Sequence, residues 1–424
     1  MGLPDPAWIR AQSRASAKAM RNACSATHLI RQRAGFGWEV RPAPGSVLAS
    51  PRAGDWNPEP DYFHHWIRDS AIVLRAVPLA MQADPDQTAF WRGFVADFIA
   101  FSLAISDPDR RGPAQNPLRA SARAEFEKFL RPDAELAALQ GAAWLGEPRF
   151  AADGGPDLEQ WSRPQDDGPA LRASALIGLL DELPDLASDA ATALIARDLS
   201  HTARVAGSPC IGPWEEAPPS RTTFTLIVQW DALDRGGARD PALRAAADLV
   251  AALLQDAGDA GGWRDSIEAP AGSFDAATCL AILHARRLDG PFAITAPRTR
   301  ATVAALERIF ADLYPLRTAD GIPAIGRFAG DVYCGGNPWY PTTLGFAELH
   351  YRIAAATQDA EAFARAEAWM ALIQRVAPAR PGPLPEQFDR RTGAPRSSLD
   401  LTWSAAAFLE AAAARDLACQ AMGR

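Results

Sequence analysis

Twelve helix-like runs, at residues 8–33, 60–81, 86–106, 168–183, 188–205, 222–235, 240–257, 274–287, 296–312, 338–357, 359–376 and 400–416, dominate the chain. Their apolar and small residues recur at helical spacing, alanine is used heavily, and β-hairpin signals are nearly absent, so the chain reads as all-α. The placement of the unusual residues narrows the fold further. Arg68 and Asp69 open the second run, WSRPQDDGPALRA (161–173) leads into the fourth and GPWEEAPPS (212–220) precedes the sixth. SIEAPAGSFD precedes the eighth, GRFAGDVYCGGNPWYPTTL (326–344) leads into the tenth and PEQFDRRTGAPRSSLDLTWS (385–404) into the twelfth. All of these clusters stand at the starts of even-numbered runs. The other connections are mostly short and carry turn chemistry such as DELPDLASD and RGGARDP. In a chain of antiparallel helical hairpins alternate helices point the same way, so the clusters gather at one face. An inner ring of six helices inside an outer ring of six places them around one mouth.

Two segments interrupt the regular pattern. Residues 37–61 run through Pro, Gly and Asp as a long irregular loop in which GSVLAS is expected to form a short strand. Residues 107–167 form a broad connection with only short helical pieces, too long for a passive loop, and are expected to serve function. A length of 424 residues suits two ordinary domains, yet closed barrels exceed the usual size, and the chain is read as a single domain. With 48% apolar residues it can bury a large core.

A net charge of −8 and a pI near 5.4 argue against nucleic acid and against an anionic membrane surface as partners. Cys24, Cys210, Cys279, Cys334 and Cys419 are widely spaced and contain no CxxC, which suggests reduced structural thiols and neither a disulfide framework nor a zinc site. The N-terminal residues lack the apolar core of a signal peptide, and no stretch reads as the ~18 apolar residues of a membrane span, so a cytoplasmic location is expected unless a leader has been removed.

The stretch GPWEEAPPS sets Glu215 and Glu216 beside Trp214, stiffened by Pro213, Pro218 and Pro219, just before an apolar run. A carboxyl held against an aromatic surface near a protein interior has its charged form disfavoured and becomes a proton donor near neutral pH. Taken with PDYFHHWIRDSAIVL, WSRPQDDGPALRA, GGNPWYPTTL, PEQFD and DLTWS, this block resembles the successive motifs of the glucoamylase family, glycoside hydrolase family 15, in that family's order and from about residue 46 to 410. The resemblance implies an (α/α)6 barrel and an inverting exo-hydrolase that releases glucose from the non-reducing ends of α-gluco-oligosaccharides, with no metal and no cofactor.

Matching positions imply roles. Glu215 is the general acid and Glu386, in PEQFD, the general base that draws a proton from water on the opposite face of the sugar. Arg68 and Asp69 grip the terminal sugar's 4- and 6-hydroxyls, joined by Arg327. Glu216, Asp331 and Arg163 fall near the leaving sugar, either touching it or holding other side chains. Trp66, Trp161, Trp214, Trp339 and Trp403 form an aromatic wall, with ordinary packing an equal reading for Trp66 and Trp339, and Tyr62 and Tyr333 line the pocket. Ser397 is either a partner of the base or a helix N-cap. Departures from the family pattern are Pro213, Pro218 and Pro219 around the acid, Arg221 just beyond it, and His64 and His65 before Trp66. They put substrate choice beyond the first sugar in question and leave α-1,6 or other α-glucosides as an alternative. The absence of a starch-binding module after the last helix favours soluble oligosaccharides. The alternative from another class is a catalytically inactive sugar-binding barrel.

Overall fold

A computed structural model describes residues 3–52, 61–238 and 240–424. α1 (Pro6–Ala23) is capped by Asp5, whose carboxylate accepts the Ala7 N–H. It is shorter than the expected run of 8–33. Cys24 turns extended to bridge Val47, Ser25 takes a positive φ of 48°, and the chain then forms β1 (Arg31–Arg33), antiparallel to β2 (Trp38–Val40). The GSVLAS segment makes that single bridge and no regular strand. Of the expected loop at 37–61, residues 53–60 lie outside the described residues, as does the first residue of the run at 60–81.

That run divides into β3 (His64–Trp66), α2 (Ile67–Arg75) and α3 (Val77–Ala83), with Pro78 near the start of the last. Proline supplies no N–H and crowds the preceding turn, which breaks a helix that periodicity alone would continue. α4 (Thr88–Ile105) follows. Within residues 85–105 an 18-residue window has a mean hydropathy of 1.4, long and apolar enough by length and composition alone to cross a membrane, although Arg92 and Asp97 interrupt it. In the fold one face of this helix, including Trp91, Phe94, Phe98 and Ile105, is buried. The connection at 107–167 holds 3-10 turns, α5 (Asp133–Ala137) and β4 (Arg149–Ala151), which folds back antiparallel to β3 with Trp66 opposite Arg149.

The regular part comprises α6 (Gly168–Glu182), α7 (Asp189–Val205), α8 (Thr223–Gly237), α9 (Pro241–Ala257), the short pair β5 (Gly258–Asp259) and β6 (Gly262–Trp263), α10 (Ala276–Ala285), α11 (Pro297–Leu313), α12 (Tyr340–Thr357), α13 (Ala360–Val376), the pair β7 (Gln387–Phe388) and β8 (Pro395–Arg396), and α14 (Thr402–Ala421). Packing closes a ring: α2 lies on α6, α6 on α8, α8 on α10, α10 on α12, α12 on α14, and α14 back on α2. Burial separates the two layers. Every residue of α10 except His284 is buried, whereas α9 buries only Ala247, Val250, Leu254 and Ala257. The first pattern belongs to a helix surrounded by others and the second, at spacings of three and four, to a helix with one face on a core. The outer layer therefore holds α1, α4, α7, α9, α11 and α13, and the architecture is an (α/α)6 barrel. The clusters at the starts of the inner helices meet at one end of it.

Candidate active site

A cavity of about 620 Å³ opens at that end, and thirteen of the fifteen expected site residues line it. Glu215, Glu216 and Trp214 come from the connection before α8, Glu386 and Trp403 from the segment before and into α14, and Arg327, Tyr333 and Trp339 from the segment before α12. Tyr62, Trp66, Arg68 and Asp69 come from the β3–α2 corner. Phe129, Gln160, Trp161 and Ser162 also line it, so the long 107–167 connection builds one wall.

Glu215 adopts a positive φ of 64°, a conformation that non-glycine residues rarely take and that neighbours must hold. Its Oε1 accepts the Trp66 indole N–H at 2.8 Å and the Gln165 amide at 3.1 Å, and lies 3.7 Å from the Arg68 guanidinium. The Ser162 hydroxyl donates to its carbonyl oxygen at 2.5 Å. The indole bonded to the acid is thus Trp66, not its chain neighbour Trp214, whose own N–H donates to both oxygens of Asp275 at 2.9 and 2.8 Å.

Glu386 is only 3% exposed. Burial pushes its carboxyl up to about 7 against the opposing pull of hydrogen bonds from Ser397 and Tyr62. The Ser397 hydroxyl donates to Oε2, and the Tyr62 hydroxyl to Oε1 at 3.2 Å while sharing a hydrogen bond of 2.6 Å with the Tyr333 hydroxyl. Ser397 is therefore a partner of Glu386; α14 begins at Thr402, with Leu401 as its N-cap residue.

Arg68 donates from Nε to Asp167 at 2.7 Å and from Nη2 to Gln165. Asp69 also faces the cavity, and burial pushes its carboxyl up to about 7. No side chain among the described residues donates a hydrogen bond to it. Arg327 forms a two-pronged pair with Asp331, meets Glu216 at 2.8 Å, and stands over the rings of Trp214, Tyr333 and Trp339 at 5.3–5.5 Å. Trp214 stacks on Trp403 with an interplanar angle of 16° and approaches Trp339 at 5.3 Å. Trp66 meets Tyr62 and Trp161 edge-on.

Arg163 and Asp331 are the two expected residues that do not line the cavity. Arg163 turns away to Asp157 at 2.8 Å and Glu147 at 3.3 Å, in a buried ion-pair network behind Trp161, while Asp331 holds Arg327 and accepts the Tyr333 N–H at 2.8 Å. Both therefore bear on other side chains and not on the cavity itself. His64 and His65 are buried and also off the cavity wall, and His65 Nδ1 accepts the Val47 N–H at 3.0 Å. Arg221 is tied to Glu268. Of the departures noted in the sequence, only Pro213 reaches the cavity wall. Sequence reasoning missed Gln165, Asp167 and Asp275; all three fall inside or at the end of the clusters that precede inner helices, and their mixture of acids and amides in otherwise apolar surroundings was the available signal.

The family Glycosyl hydrolases family 15 matches residues 135–413, about two thirds of the chain. The chain is 28% identical to Glucoamylase-1 of Arthroderma benhamiae over 437 residues, covering 89% of this chain and 66% of that protein. It is 28% identical to the glucoamylase of Neurospora crassa, covering 88% of this chain and 64% of the relative. The chain thus spans just under two thirds of the length of these relatives. Among solved structures it is similar to the glucoamylase of Hormoconis resinae, with a TM-score of 0.75 and 25% identity over 96% of this chain and 73% of that one. The glucoamylase of Saccharomycopsis fibuligera shares the fold at a TM-score of 0.75 and 21% identity, over 98% and 97% of the two chains. A closed ring of inner helices, a cavity at their N-terminal end and a family match across it lead to one conclusion: this chain belongs to glycosyl hydrolases family 15.

Proposed function

We propose that the chain is an inverting, exo-acting α-glucosidase of the glucoamylase type, which removes glucose from the non-reducing ends of soluble α-gluco-oligosaccharides. The observation that carries the reading is the pair of carboxyls in one cavity with unlike surroundings. Glu215 is held by Trp66 and Gln165 beside Arg68, and Glu386 is buried under Ser397 and Tyr62. In this reading Glu215 protonates the glycosidic oxygen, and Glu386 takes a proton from the water that attacks the anomeric carbon from the other side. Inversion follows because bond breaking and water attack occur on opposite faces of the ring. Arg68 and Asp69 orient the hydroxyls of the terminal ring, and the indoles of Trp66, Trp161, Trp214 and Trp403 offer flat apolar faces to its C–H groups. Glu216, tied to Arg327, stands on the leaving side.

Glu215→Gln and Glu386→Gln are each expected to lower kcat on maltose by at least ~10²-fold, the usual contribution of a positioned acid or base, with circular dichroism unchanged. Following the hydrolysis by NMR decides the stereochemistry: β-glucose appears first if the reading holds, and α-glucose first would refute inversion. Pro213 on the cavity wall beside Glu215 and Glu216 favours a second reading, a preference for α-1,6 or another linkage, because a fixed φ limits how that wall adapts to the leaving sugar. A kcat/KM panel over α-1,1, α-1,4 and α-1,6 disaccharides separates the two. Saturable sugar binding with no glucose release from any of them would identify a non-catalytic barrel instead.

A further inference from the structure

The loop that carries Glu215 is a partition. Pro213, Trp214 and Glu216 line the large cavity on one side and a second cavity of about 200 Å³ on the other, together with Asp275, Thr278 and Phe328. Interior side chains are normally held by close packing from all sides. Here packing from behind is interrupted, and yet Glu215 keeps a left-handed backbone that must be imposed from outside. What reaches across to the loop is a hydrogen bond: both oxygens of the buried Asp275 accept the Trp214 N–H. Asp275 is itself fixed, because Oδ1 also accepts the Ala277 N–H at 2.7 Å and caps α10. The inner-ring helix α10 is thereby joined to the residue preceding the acid.

We propose that Asp275 is a positioning residue for proton donation, setting the place of Glu215 by holding the Trp214 indole from the start of α10. The proposal rests on the reading of Glu215 as the general acid. Asp275→Asn is a selective probe of it. Asparagine caps helices as well as aspartate does, so its carbonyl oxygen in the place of Oδ1 continues to accept the Ala277 N–H, while its amide N–H₂ in the place of Oδ2 turns the nearer of the indole's two acceptors into a donor set against the indole N–H. Trp214→Phe removes the same bond from the other end and leaves α10 untouched.

Misplacing an acid slows only reactions that need it, so two substrates are compared. Maltose has a poor leaving group that must be protonated, whereas fluoride departs from α-glucosyl fluoride without protonation. Asp275→Asn is expected to lower kcat on maltose at least ~10-fold and to change kcat on α-glucosyl fluoride less than about threefold, with Tm kept within about 2 °C. In the Trp214→Phe background it is expected to add less than about a twofold loss, since the two residues act through one bond. Unchanged kcat on maltose, equal losses on both substrates, or losses that multiply in the double variant would each overturn the proposal. If Glu215→Gln retained maltose hydrolysis, the underlying reading of the acid would fail. An inactive Glu215→Gln beside a normal Asp275→Asn would overturn this inference alone.

Discussion

Burial does to Glu386 what the assigned chemistry asks of a base: it makes the carboxylate reluctant to stay charged and so readier to take a proton. Its carboxyl stands at about 7 because desolvation outweighs the hydrogen bonds that Ser397 and Tyr62 donate to the ionised form. A base works only when ionised, so kcat/KM is expected to fall as pH drops below about 7. Tyr62→Phe removes a donor that favours the charged form, so the acidic limb of the profile moves to higher pH, and at pH 6 the variant loses several-fold more activity than at pH 8. A limb unmoved in Tyr62→Phe would show that another group sets it. Both carboxyls of this scheme were legible in the sequence, from WEE and PEQFD, but the partner of the acid was not. Neighbouring side chains in a loop need not point the same way, and with Glu215 in a left-handed conformation Trp214 faces Asp275 while the acid faces Trp66, about 150 positions earlier in the chain. Direction is a tertiary property, and adjacency in sequence does not carry it.

At the scale of elements, the inner ring depends on places where helices approach too closely for a side chain. Gly168 opens α6 against the start of α2, and a Cβ there would meet Ile67 Cβ and Cγ2 at 2.9 Å. Ile67 Cβ is the root of its side chain and cannot swing aside by a rotamer change, and the next residue is Arg68, whose guanidinium holds Asp167. Gly168→Ala is therefore expected to push the two helix starts apart, destabilising by about 1–3 kcal/mol as overpacked cores do. It should also lower kcat/KM by loosening Arg68 and Asp69. Calorimetry together with maltose kinetics checks both parts, and unchanged values for both would mean that the junction has slack. The ring order was readable because each inner helix is announced by a chemically unusual cluster, but the helix count was not: the described residues hold fourteen α-helices where twelve runs were expected, since the second run splits into α2 and α3 and the 107–167 connection adds α5. Boundaries were less readable too. α1 stops at Ala23 because Cys24 is drawn into a bridge with Val47, and the second run breaks at Pro78 after a strand that pairs with Arg149–Ala151. Both outcomes are decided by residues distant in the chain, which local periodicity does not contain.

For the molecule as a whole, the mouth of the barrel concentrates carboxyls that folding makes harder to ionise. Asp69, Asp275 and Glu386 all stand at about 7 through burial, above the ordinary values of 3.8 for aspartate and 4.5 for glutamate. Between about 4.5 and 7 the folded chain holds protons on these groups that the unfolded chain has lost. Stability therefore declines as pH rises through that window, and the full penalty is present above it. For Glu386 alone a shift from 4.5 to about 7 corresponds to a penalty on the order of 3 kcal/mol. Glu386→Gln keeps the shape and removes the titration. Its Tm relative to the unaltered chain also reflects altered bonds to Ser397 and Tyr62, but those neutral contacts are the same at pH 5 and pH 8. The change in that difference between the two pH values isolates the buried charge. With the unfolding entropy expected of 424 residues, Glu386→Gln should gain roughly 3 °C on the unaltered chain between pH 5 and pH 8. A gap that stays constant would mean that the charge of Glu386 is already compensated in the folded protein, and the acidic limb of the rate profile would then have to originate in a different group.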